Sequence, residues 1–210
     1  MAVSRGTDPS LVRRLRCFIG LPLPESWQEG LARVTQRLSG ELRSRINWTR
    51  PGNGHLTLKF VGAVDPLRLP DLRLALGAVI FAPFAVAVGQ AGVFPASSSA
   101  AGVPAGQASP RALWAGLRLG GPECARLAAK IDQALTPLGF VPEPRPFTAH
   151  LTLGRVKEAA KGEDWALPAR AVADESWPVA EVCCFVLWQS VLGPGGPQYS
   201  RLAEFPAQAK

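Results

Sequence analysis

The spacing of apolar positions changes period along this chain, and each change marks an element. Residues 15–21 (LRCFIGL) are a largely apolar run that predicts a buried strand, closed by Pro22 and Pro24. Trp27, Leu31, Val34 and Leu38 then recur at steps of 4, 3 and 4. That rhythm gathers them on one face of a helix from Glu25 to Leu38, with Gly40 just past its end. Residues 45–49 (RINWT) predict a brief strand, Pro51 to Gly54 a turn, and residues 55–61 a strand stopped at Gly62. A second helix is predicted over residues 70–80, weakened by Gly77, and a strand over 84–94 with a bend at Gly89 or Gly92.

Residues 95–110 (PASSSAAGVPAGQASP) are small and bury no core, which predicts a mobile surface loop. Strand-like sequence resumes at residues 112–117, and Cys124, Leu127, Ile131 and Leu135 make one stripe of a helix from Glu123 to Leu138. A strand is predicted from Thr148 to Val156, polar and irregular chain over 157–178, and an apolar strand from Val182 to Leu192. A GPGGPQ turn follows, then an edge strand from Tyr199 to Phe205. The order strand–helix–strand–strand–helix–strand runs once before residue 95 and returns, less cleanly, after it. This predicts an α+β fold of two pseudo-symmetric lobes, each an antiparallel sheet with flanking helices, around a central cleft. Residues 1–13 read as a flexible N-terminus and 14–210 as a single bilobal domain.

Composition narrows the class. With 210 residues, 47% hydrophobic and 19% charged, the chain has apolar sequence enough for a core. The formal charge of +7 suits a polyanionic ligand such as RNA or a nucleotide, and equally suits plain solubility, so charge alone decides nothing. Cys17, Cys124, Cys183 and Cys184 form no Cys-x-x-Cys pair, and with two histidines placed elsewhere no zinc-type ligand set is visible. The expectation is no metal, no cofactor, and free thiols in a reducing cytoplasm. Arg5, Arg13, Arg14 and Arg16 lack the apolar segment of a signal peptide, and no run approaches the roughly 18 apolar residues of a membrane span. A cytoplasmic monomer without a membrane partner is expected.

The chemistry lies in one tetrapeptide used twice. His55-Leu56-Thr57-Leu58 and His150-Leu151-Thr152-Leu153 contain both histidines of the chain. A given histidine is followed by Leu-Thr-Leu by chance about once in a thousand. On a strand, His55 and Thr57 share one face, as do His150 and Thr152, while Leu56, Leu58 and Phe60 point the other way into a core. Two facing imidazoles, with an unperturbed pKa near 6.5, equip a site to remove one proton and donate another. Threonine hydroxyls hold phosphoryl oxygens without cancelling the charge of the acid. Together these parts suit phosphodiester cleavage without a metal.

Two His-x-Thr-x motifs, one per half of a small basic chain, resemble those of the 2H phosphoesterases, and most closely the RNA 2′,3′-cyclic phosphodiesterase (2′-5′ RNA ligase-like) branch. The resemblance extends over FIGLPLP, HLTLKFVG, the Trp114 strand, RPFTAHLTLGR and the closing strand with Tyr199. It implies hydrolysis of a 2′,3′-cyclic phosphate at an RNA end to a 2′-phosphomonoester, reversible as 2′-5′ ligation. It further implies that His55 is the proton donor and His150 the proton acceptor, an assignment that two identical motifs leave open by themselves. A linear 2′,5′-oligonucleotide phosphodiesterase of the same superfamily, and a non-catalytic module that binds RNA ends, remain as alternatives.

Three further readings concern the flanks. The resemblance implies a phosphate contact for Arg155, with Thr57 and Thr152 as the other phosphate-binding residues. Strict alternation puts Arg155 on the face opposite His150, so it reaches the site only through a bulge at Gly154 or a strand end there. Lys59 has the parity of His55 but lies roughly 13 Å along the strand, so guiding RNA is the most it does. Phe18, Trp48, Trp114 and Tyr199 are candidates to stack a base or, more ordinarily, to pack a core.

Overall fold

The stripe Trp27, Leu31, Val34 and Leu38 is the buried side of α1 (Glu25–Glu41), as its spacing requires. The computed structural model describes residues 14–95, 110–194 and 196–208. The flexible stretches expected at 1–13 and across most of 95–110 lie outside the described residues. The strands are β1 (Leu15–Pro22), β2 (Arg45–Trp48), β3 (His55–Val64), β4 (Phe84–Phe94), β5 (Ala112–Leu119), β6 (His150–Glu158), β7 (Ala180–Val182), β8 (Cys184–Gly193) and β9 (Gly196–Pro206). The other helices are α2 (Leu69–Gly77), α3 (Gly121–Leu135) and α4 (Leu167–Ala173).

The fold is α+β and antiparallel throughout, but its lobes are not the two halves of the chain. The strands run in the order β7-β4-β5-β6-β3-β1-β8-β9, with β2 pairing β6. So β3 and β1 of the first half continue into β8 and β9 of the second, while β6 and β5 continue into β4, and β6 also carries β2. The helices are exchanged as well. α3 packs on β3, whereas α1 and α4 lie against the β2, β4, β5 and β6 side. Each lobe therefore carries elements from both halves, which ties the lobes together more firmly than a simple duplication would. The two sheets also fuse into one curled sheet, joined where β3 meets β6 at Leu56 and Leu151.

Several boundaries differ from the pattern in the sequence. β3 runs on to Val64 because Gly62, at φ +85°, absorbs an irregularity that a residue with a Cβ would resist. α3 ends at Leu135 and the chain continues as a short 3₁₀ turn, Thr136–Leu138, whose Pro137 cannot donate to a helical carbonyl. α4 occupies chain that reads as irregular. Its signal is faint: Pro168 in the first turn, with Leu167, Ala171 and Val172 as the buried positions. The strand expected from Val182 is two, β7 paired to β4 and β8 paired to β1. No helix among the described residues is long and apolar enough to cross a membrane.

Candidate active site

One bridge assembles the site. Leu56 pairs with Leu151, and both are buried, so the residues flanking them on β3 and β6 rise together on the other face. The antiparallel register sets His55 across from Thr152 and Thr57 across from His150. The four polar side chains predicted for catalysis and phosphate binding thus form a single patch. Each histidine has the other motif's threonine as its cross-strand neighbour.

Both rings are held the same way. His55 Nδ1 lies 2.9 Å from the carbonyl of Asn53, and His150 Nδ1 lies 2.7 Å from that of Thr148. A carbonyl only accepts, so each Nδ1 carries the hydrogen and each Nε2 is left to take or give a proton. The loop that carries the Asn53 carbonyl is itself fixed from two sides. Gln28 of α1 donates to Gly54 O at 2.8 Å and accepts from Gly54 N at 3.1 Å, while Asn53 Nδ2 donates to Pro197 O at 2.8 Å. A Cβ on Gly54 would fall 2.7 Å from both Gln28 Oε1 and Leu31 Cδ2, so the loop closes on α1 only with glycine there. On the other side, Thr49 donates from its hydroxyl to Thr152 O at 2.6 Å and from its backbone to Leu153 O at 2.9 Å, pinning the second motif to the end of β2.

Burial holds the His55 imidazole below the usual histidine range, against the pull of the Asn53 carbonyl, and the His150 and Arg155 charges lower it further. His150 is lowered by burial first, then by Arg155, with the Thr148 carbonyl opposing. In the free protein near neutral pH both rings are mainly neutral. An anion bound between them works in the opposite sense and returns a proton to the pair.

The flanking residues depart from strict alternation, for one reason that applies twice. On β3, Gly20 pairs with Thr57 and Ile19 with Lys59, which leaves Leu58 as an extra residue. On β6, Trp114 pairs with Thr152 and Leu113 with Gly154, which leaves Leu153 extra. A one-residue bulge inverts parity beyond it. Arg155 therefore pairs with Ala112 on the face that carries Thr152 and His150, and it joins the site. The bulged residue is Leu153; Gly154 serves instead to let β2 approach, since a Cβ there would sit 2.7 Å from Ile46 Cγ2. The same inversion overturns two readings on β3. Lys59 turns inward, buried, and its ammonium pairs with Asp132 of α3 and donates to Val141 O at 2.9 Å, so it guides no RNA. Phe60, expected in the core, is 61% exposed on the site face, where it pairs with Phe18.

Aromatic rings flank each histidine differently. Phe18 packs against the His55 ring at 4.6 Å, and Tyr199 meets it edge-on at 5.0 Å. Phe94 meets His150 edge-on at 5.3 Å and stacks on Trp114 at 5.0 Å. Trp114 lies over Gly92 and Gly116, where its ring stands 3.1 and 2.7 Å from the position of a Cβ. Trp48 packs on Gly154, away from the patch. Burial raises the Tyr199 phenol pKa, and the Arg155 and Arg16 charges oppose that rise. Beside His55, Phe18, Trp188, Tyr199, Arg201, Asn53 and Gln28 line a hollow of about 120 Å³. Gln28 and Arg16 carry no motif signature, and only their packing and strand parity reveal them. Among the described residues no three His, Cys, Asp or Glu side chains gather as a ligand set for a metal.

The family described as LigT like Phosphoesterase matches residues 21–104 and 120–199, one segment around each HLTL strand. An RNA 2′,3′-cyclic phosphodiesterase of Archaeoglobus fulgidus is 35% identical over 191 residues, covering 91% of this chain and 99% of that one. A second protein of that name, from Aeropyrum pernix, is 30% identical over 74% of this chain and 82% of its own length. Among solved structures, TT0787 of Thermus thermophilus superposes with a TM-score of 0.69 at 28% identity, over 91% of this chain and 97% of that one. Escherichia coli LigT complexed with 3′-AMP shares the fold at a TM-score of 0.69 and 21% identity, over 93% and 99% of the two chains. The chain belongs to the LigT-like phosphoesterase family.

Proposed function

We propose that this protein hydrolyses 2′,3′-cyclic phosphate ends of RNA to 2′-phosphomonoesters, using its two histidines and no metal. The observation that carries the reading is the pair of imidazoles with Nδ1 tied to a backbone carbonyl and Nε2 free, set among two threonines and Arg155 on one sheet face. The names of the relatives, RNA 2′,3′-cyclic phosphodiesterase, support the substrate class.

In this reading His150 Nε2 accepts a proton from water as its oxygen attacks phosphorus. The P–O3′ bond breaks, and O3′ takes the proton of His55 Nε2. One water is consumed and the proton count of the pair is restored. Thr57 and Thr152 donate to the non-bridging oxygens, and Arg155 offsets the charge that builds on them. The hollow beside His55 takes the sugar whose O3′ leaves. Run backwards with an RNA 5′-hydroxyl in place of water, the same steps make a 2′-5′ linkage. The four cysteines are free, and burial pushes the Cys17 and Cys124 thiols up to about 11 and about 12, which suits a reducing, cytoplasmic setting.

The test is to incubate the protein with an oligonucleotide ending in a 2′,3′-cyclic phosphate, in excess EDTA, and identify the product. A 2′-phosphomonoester is expected. A 3′-phosphomonoester, or no turnover with retained binding, overturns the reading.

A further inference from the structure

Phe60 is the one aromatic among the exposed large apolar side chains of the described residues. It stands on the face that carries the histidines, paired with Phe18, which is 4% exposed and touches His55. Paired residues on antiparallel strands have Cα atoms about 4.5–5.5 Å apart, so Phe60 adjoins the catalytic patch directly. Its ring is open to solvent, and β3 pairs with β6 at Leu56 and Leu151 rather than at Phe60. Arg16 pairs with Ala63 and has the parity of Phe18, which puts it on the same face. In the strand order it lies between Phe60 on β3 and Tyr199 on β9. Among the described residues no carboxylate forms an ion pair with Arg16.

We infer that Phe60 and Arg16 form a second nucleotide subsite, in which Arg16 takes the phosphate that joins the last two nucleotides and Phe60 stacks the penultimate base. The inference rests on the reading of the site as an RNA-end phosphodiesterase and narrows its substrate to an RNA end that is single-stranded over its last two nucleotides. An aromatic face beside an unpaired guanidinium is the pairing that holds single strands without regard to sequence. The position opposite in pseudo-symmetry holds Arg155, so β3 offers a flat apolar surface where β6 offers a charge.

The test compares kcat/KM for a cyclic-phosphate-ended tetranucleotide with that for a mononucleoside 2′,3′-cyclic phosphate. Phe60→Ala is expected to lower the ratio of the two about ten-fold, and Phe60→Tyr to preserve it. Arg16→Gln is expected to raise the tetranucleotide KM and to reduce its slope against log salt by about 0.7. An unchanged ratio in Phe60→Ala overturns the inference, as does an equal loss on both substrates, which marks a structural role. A wild-type protein that cleaves neither substrate refutes the parent reading instead. The subsite is then judged by the affinity of the same variants for a 3′-phosphorylated tetranucleotide against a 3′-phosphorylated mononucleoside, with an unchanged ratio again overturning it.

Discussion

Phe60 and Arg155 are register twins. Each lies at the same offset from the histidine of its motif, beyond a single bulged leucine, and pairs outward to the next strand, Phe60 with Phe18 and Arg155 with Ala112. The bulge brings both onto the face of the histidines, and the sequence differs between them. The backbone is symmetric there and the side chains are not, so two identical motifs sit in unlike surroundings.

Arg155 lowers the proton affinity of both imidazoles, and in the proposed reaction it also offsets the charge on the phosphate. Arg155→Gln therefore has two expected effects. It lowers kcat/KM about 100-fold, and it moves the pH profile of the remaining activity to higher pH. A loss of rate with an unmoved profile would mean that the guanidinium does not share the site.

The wild-type profile follows from the same shifts. A pair that works with one proton between its members is most populated between its two macroscopic pKa values. Both histidines lie below 6.5 in the free protein, so kcat/KM should trace a bell whose maximum falls below pH 6.5. Steady-state rates from pH 4.5 to 9 with a cyclic-ended oligonucleotide check this.

Stability carries the opposite limb. A histidine whose folded pKa is lowered binds fewer protons than in the unfolded chain, so stability is full above the unfolded value near 6.5 and is lost as pH falls through the window beneath it. Thermal melts at pH 7.5 and pH 5 should show a drop that His55→Ala and His150→Ala each lessen. A wild-type melting temperature independent of pH across that interval would argue against buried, depressed imidazoles.

Gln28 touches neither histidine, yet its two hydrogen bonds to Gly54 fix the loop whose Asn53 carbonyl orients His55. Gln28→Ala should lower kcat with little change in KM and cost about 1–2 kcal/mol of stability. Gln28→Glu keeps the acceptor for Gly54 N but loses the donor to Gly54 O, and should fall between the two. Equal changes in kcat and KM would assign Gln28 to substrate contact instead.

Lys59 and Asp132 tie β3 to α3 under the first motif. Asp132→Ala leaves an ammonium buried with one carbonyl partner and should cost about 3 kcal/mol. Adding Lys59→Met should recover most of it, and denaturant melts of the single and double variants measure the difference.

The sequence carried the chemistry further than the architecture. The repeated tetrapeptide located all four central side chains, because period-two alternation is reliable over four residues and both leucine pairs are indeed buried. Beyond four residues parity failed. The bulge at Leu58 has no local signature, so Lys59 and Phe60 exchanged faces, whereas Arg155 reaches the site through a bulge at Leu153, one residue before the Gly154 that the sequence suggests. The α+β class followed from the order of elements, whereas the crossing of β4 into one lobe and β8 and β9 into the other depends on long-range pairing that no local pattern encodes. Gln28 was invisible for a similar reason: its role comes from where α1 lands.

The central claim is that His55 and His150 perform the proton transfers. It is tested most directly by measuring kcat/KM on a 2′,3′-cyclic-phosphate-ended oligonucleotide in EDTA for the wild type, His55→Ala, His150→Ala and the double variant. Each single substitution should lower the rate roughly 10²- to 10⁴-fold, and the double substitution should add less than the product of the two. A loss of less than about ten-fold in either single variant, or a wild type silenced by EDTA, would contradict it.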